Sequence, residues 1–147
     1  MRHIRVRSVA CSLIACAVSF AAGVLAQSAA TRDTYVAPAG STRLEVLFDG
    51  TKFGSEIDVG EMTFQPGTDS GDHKHGVTEI FYILEGEFEH IVNGRSYPLK
   101  PGMLGYVRPP DSVRHKVGAK GKPVKALVIW APGGEAARIA ARWKRLD

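Results

Sequence analysis

From Arg43 onward, apolar positions recur in short runs separated by turn residues. Leu44–Phe48, Ile57–Phe64, Val77–Leu84, Phe88–Val92, Arg95–Leu99, Leu104–Arg108, Val113–Val117 and Val124–Trp130 read as strands, rich in β-branched and aromatic side chains. Gln65-Pro66-Gly67, Glu85-Gly86-Glu87 and Pro101-Gly102 punctuate them. Asn93-Gly94 is a two-residue hairpin signal, because both residues accept the positive φ such a turn requires. At least eight closely spaced strands predict an all-β, antiparallel sandwich or barrel rather than a parallel sheet. No internal repeat is visible.

The two ends follow other patterns. After Pro132-Gly133-Gly134, residues 135–146 favour helix: Ile139, Ala140, Trp143 and Leu146 share one face, and Arg138, Arg142 and Arg145 lie off it. A short C-terminal helix over 132–147, packing its apolar stripe on the barrel, is the expectation. At the other end Arg2, Arg5 and Arg7 precede a mainly apolar run from Val9 to Leu25, and Val24-Leu25-Ala26 supplies the small residues of a cleavage site. That layout predicts a signal peptide over 1–26 and a periplasmic or secreted protein. The run sits at the lower edge of bilayer-spanning length, so no stable membrane span is expected in the mature form. Leu13-Ile14-Ala15-Cys16 is a lipobox-like alternative that would leave a very short apolar region. Residues 27–42, rich in Ala, Ser, Thr, Gly and Pro, read as a linker or N-terminal arm, and 43–131 as the barrel.

Cleavage changes the charge picture. The chain carries 19 Lys+Arg against 15 Asp+Glu. Three of the basic residues and none of the acidic ones lie in the leader, so the mature protein stands near +1. That argues against nucleic acid as a partner. Both cysteines, Cys11 and Cys16, also fall in the leader, which leaves a mature domain without disulfides or thiolate ligands.

The candidate chemistry is imidazole and carboxylate. His73-Lys74-His75 places two rings on one face of an extended strand, and Glu79 keeps the same parity. Glu79 lies beside Ile80, Phe81 and Tyr82 in the most apolar strand, where an unpaired carboxylate would cost several kcal/mol. His115 starts a distant strand that an antiparallel fold can bring across. Three imidazole nitrogens and a carboxylate suit manganese, iron, nickel, copper or zinc.

These residues resemble the first motif of the cupins. Gly67, five residues, His73-x-His75, three residues, Glu79, six residues and Gly86 reproduce it without a gap. The second motif is looser. Pro110 and His115 are kept, Ser112 replaces a glycine, Ala119 stands where asparagine would be, and Gly102 to His115 is two residues longer than usual. The resemblance covers about residues 43–130. It implies a jelly-roll barrel (a double-stranded β-helix) with His73, His75, Glu79 and His115 as ligands to one divalent metal, iron or manganese before nickel, copper or zinc. It also implies a small-molecule substrate or ligand and, with the exposed barrel edges, favours a homodimer. A metal-dependent, dioxygenase-like enzyme is the leading functional expectation, and a non-catalytic metal- or ligand-binding protein of the cell envelope the alternative. His90 is a candidate acid/base beside the metal, against the simpler reading of a core or surface histidine. Asp69, Asp72, Arg108 and Arg114 carry no assigned role.

Overall fold

In a computed structural model, residues 33–146 are described. The expected leader and the first six residues of the expected linker lie outside them. The elements run β1 (Thr34–Val36), β2 (Thr42–Phe48), a one-turn helix α1 (Gly50–Phe53), β3 (Asp58–Phe64), β4 (His73–Lys74), β5 (Thr78–Glu85), β6 (Phe88–Val92), β7 (Arg95–Leu99), β8 (Leu104–Val107), β9 (Ser112–Lys116), β10 (Val124–Ala131), α2 (Glu135–Ala140) and β11 (Lys144–Arg145). All eight strands read from the sequence are present, each within two residues of its expected ends.

They form two antiparallel sheets ordered β11-β1-β2-β3-β10-β5-β8 and β4-β9-β6-β7. The sheets face one another as a jelly-roll barrel. Strict alternation builds the interior: along β10 Val124, Ala126, Val128 and Trp130 are buried while their neighbours are partly exposed. Phe64 and Phe81 of the larger sheet meet Phe88 of the smaller one, with ring centroids 5.0 and 5.6 Å from the Phe88 ring. Burial of each such ring contributes about 1.5–3 kcal/mol. At the β6–β7 hairpin Asn93 and Gly94 both have positive φ, and Val92 pairs with Arg95.

Two regions differ from expectation. The presumed arm contains β1, which pairs with β2 on one side and β11 on the other. The C-terminal helix stops at Ala140 rather than running to residue 146. Helical propensity loses there to an unpaired sheet edge: Lys144 and Arg145 take up the free side of β1, and the Leu146 amide donates to the Thr34 carbonyl at 2.9 Å. Ile139 and Trp143 still pack on the core, but Leu146 is exposed. Among the described residues no helix is long and apolar enough to cross a membrane.

Asp58 fixes where α2 begins. This fully buried carboxylate accepts from the amides of Gly134 (2.7 Å) and Ala136 (2.9 Å) through one oxygen and from Gly50 (2.9 Å) through the other. The first turn of α2 is thereby held to the start of β3.

Candidate metal centre

Strand alternation turns Glu79, Phe81 and Ile83 of β5 inward and leaves Tyr82 and Leu84 outside. Glu79 lies opposite Trp130 on β10, whose indole N–H donates to its Oε1 at 2.8 Å. One oxygen of the buried carboxylate is satisfied in this way. The other, Oε2, has no hydrogen-bond partner.

The histidines converge on that oxygen. Pairing of β4 with β9 sets His73 opposite Val113, one inward step from His115. The His73 ring then lies 4.9 Å from that of His75 and 5.3 Å from that of His115, centroid to centroid. His75 Nε2 stands 3.1 Å from Glu79 Oε2, without the alignment of a hydrogen bond, and His115 Nε2 stands 3.9 Å from it. A cavity of about 160 Å³ opens over these four side chains, walled by Phe64, Phe81 and residues of the C-terminal segment.

The tautomers follow from the partners. A carbonyl or carboxylate can only accept, so His73 donates from Nδ1 to the Gly71 carbonyl at 3.0 Å and His75 from Nδ1 to Glu135 Oε1 at 2.9 Å. In the neutral rings this leaves the Nε2 lone pairs for the cavity. His75 Nε2, His115 Nε2 and Glu79 Oε2 are all buried and unpartnered. Leaving each of them so costs roughly 1–3 kcal/mol. Two lone-pair atoms 3.1 Å apart also repel unless a cation lies between or beside them. Without a metal that cation is a proton. Burial opposes it, but Glu135 and Glu79 outweigh burial and raise the His75 pKa to about 9. His115 goes the other way: burial, then the neighbouring imidazoles, push its pKa well down. The donor set thus suits a divalent ion. Among the described residues, however, no group of three or more His, Cys, Asp or Glu side chains stands at full chelating geometry.

Sequence reasoning missed Glu135. The carboxylate is buried, takes the His75 Nδ1–H, and is gripped through both oxygens by Arg138 one helical turn on. Burial raises its pKa, but Arg138 and His75 prevail and bring it to about 2. A carboxylate behind a ligating imidazole fixes the ring and raises its basicity. The spacing of Glu135 and Arg138 signals a helical pair, but nothing local points sixty residues back to His75. Trp130 was also missed as a partner of Glu79. Arg114 and Asp69 are engaged with each other on the surface, at 2.7 and 2.5 Å, and that pairing holds Asp69 below the usual carboxylate range. Ser70 supports His115 by accepting its amide at 2.9 Å.

His90 does not wall this cavity. It pairs with His115 across β6 and β9, with ring centroids 5.4 Å apart, and is buried. Its Nε2 donates to the Tyr106 carbonyl at 3.2 Å, and Nδ1 has no partner. Its open side faces a separate groove lined by Tyr97, Leu104 and Tyr106.

Residues 60–130 match the cupin domain family. Solved structures share the fold. A predicted oxalate decarboxylase from Thermotoga maritima is 24% identical, with 72% of this chain and 96% of that chain covered at a TM-score of 0.60. KdgF from Halomonas sp. is 14% identical, with 70% and 91% covered at 0.60. An RmlC-like cupin from Shewanella frigidimarina is 22% identical, with 70% and 86% covered at 0.56. No match was found among curated proteins. A family match across most of the barrel, the two-sheet jelly roll and its agreement in shape with these structures converge: the chain is a single-domain cupin.

Proposed function

We propose that this protein is an exported cupin that binds one divalent metal, iron or manganese, through His73, His75, Glu79 and His115, and acts on a small organic molecule in a dioxygenase-like reaction. The observation that carries this reading is the convergence of three buried, unpartnered lone-pair atoms on one small cavity. A six-coordinate ion with four protein ligands keeps two positions for substrate or O₂ to be polarised or activated. The chain's own residues do the rest. Trp130 holds Glu79 with its second oxygen toward the cavity. Glu135 holds His75 with Nε2 toward it. Phe64 and Phe81 wall the cavity with apolar surface, which keeps bulk water from the donors.

Elemental analysis of the mature protein from its native compartment tests the metal, with one ion per chain expected. His75→Ala and Glu79→Ala are each expected to abolish stoichiometric binding, and full retention in both refutes the site. O₂ uptake by iron- or manganese-loaded protein against phenolic, diketone and carboxylate compounds tests the reaction. Absence of turnover with every open-site metal, together with tight ligand binding, favours a non-catalytic binding protein of the cell envelope.

A further inference from the structure

The cavity over the candidate metal centre is closed on one side by the C-terminal segment. Arg138, Ile139, Arg142 and Trp143 face it together with Phe64 and Phe81. Residues three and four apart share a helix face, so Glu135, Arg138, Ile139 and Arg142 project to the same side. The turn that ends α2 keeps Arg142 in that row, because its amide still donates to the Ile139 carbonyl at 2.9 Å.

The two arginines differ in occupation. The Arg138 guanidinium is bound to both oxygens of Glu135. Arg142 is exposed at the cavity mouth, and no carboxylate lies within ion-pair distance of it among the described residues. Glu79 and Glu135, the two carboxylates of the cavity, are already engaged by Trp130, His75 and Arg138. Two guanidiniums stand against two carboxylates, and of the four only Arg142 has no ion-pair partner among the described residues. Arg142 is therefore the guanidinium of the lining that can meet an anion entering at the mouth.

Size and surroundings narrow the class. An apolar cavity of about 150 Å³ accommodates one benzene ring, and this one measures about 160 Å³. Beside the polar donors at its base, Met62, Phe64, Phe81, Ile139 and Trp143 give it an apolar side. We propose that the cavity takes a small monocarboxylate, its carboxylate on the Arg142 guanidinium and its apolar body against Phe64, Phe81, Ile139 and Trp143. The planar guanidinium fork matches a carboxylate in a way a neutral amide cannot. The proposal rests on reading this cavity as the substrate site, but does not depend on which cation occupies its base.

Calorimetric titration of the purified protein, with metal content measured in the same sample, tests it. The probes are benzoate and isobutyrate against benzamide and isobutyramide. Each carboxylate is expected to bind about tenfold or more tighter than its amide, as befits a charge-assisted pair. Arg142→Gln should abolish that preference, weakening the carboxylates and leaving the amides unchanged. Lys100→Gln, which removes a positive charge paired with Glu87 away from the cavity, should leave it intact. Carboxylates binding no better than amides, survival of the preference in Arg142→Gln, or no binding of any probe overturns the proposal. If the preference behaves as expected and the protein takes up no stoichiometric divalent metal on loading, the anion site stands and the metal reading falls. If metal is stoichiometric but the preference is absent, the reverse holds.

Discussion

Replacing Asp58 by alanine withdraws one carboxylate from three backbone amides at once. Those of Gly50 and Ala136 are bonded in buried positions, and that of Gly134 is partly buried. A buried donor left without an acceptor costs about 1–3 kcal/mol, and water can reach only the Gly134 amide. The expected loss is therefore about 2–6 kcal/mol, a large part of the 5–15 kcal/mol typical of a whole domain. Asp58→Asn keeps a single accepting oxygen and should lose about 1–3 kcal/mol. Urea unfolding at constant slope measures both. The damage should also reach the cavity, since α2 carries Glu135, Arg138 and Ile139: metal affinity should fall in Asp58→Asn under conditions where the variant is still folded. A loss below about 1 kcal/mol in Asp58→Ala would refute the argument that this carboxylate fixes α2.

The remaining expectations concern single groups. Glu135→Gln keeps the shape but removes the charge behind His75, and competition with a chelator should show metal affinity about 10–100-fold lower. Gly86→Ala is expected to be strongly destabilising by thermal unfolding, because φ there is +80° and an added Cβ would meet the Pro123 carbonyl at 2.6 Å. Gly94→Ala has open space around it and should show only the milder effect of its positive φ. A reporter fused after residue 26 should be exported, and the same fusion lacking residues 1–26 should remain in the cytoplasm.

The barrel was legible because each strand carries its own record. Period-two burial can be read in a few residues, and turns such as Asn93-Gly94 demand residues that tolerate positive φ. The first motif was legible for a similar reason: Gly67 and Gly86 both occupy that region of backbone space and bracket three donors of fixed parity. What escaped depends on chain closure. Glu135 meets His75 and Trp130 meets Glu79 only after separations of 60 and 51 residues are folded away. Asp58 meets the Gly134 amide across 76 residues, and nothing in its local sequence marks it as the anchor of α2. β1 and β11 are too short for periodicity to mark, and residues 141–146 carry a helical pattern that an open strand edge overrides. Arg142 was legible as a helical arginine, but not as a residue of the cavity.

Pairing of β1 with β11 brings the described ends of the chain to neighbouring positions, with Val36 opposite Lys144 and Arg145 bonded to Asp33 at 2.7 Å. The segment that covers the cavity is thereby fastened at both ends, by Asp58 where it begins and by β1 where it finishes. A tag fused tightly after β11 would pull on this latch, so an affinity handle there calls for a flexible spacer. The same proximity suits circular permutation. A short linker from residue 146 to residue 33, with new ends opened at Asn93-Gly94, would turn the latch into a continuous loop and leave the cavity walls in place.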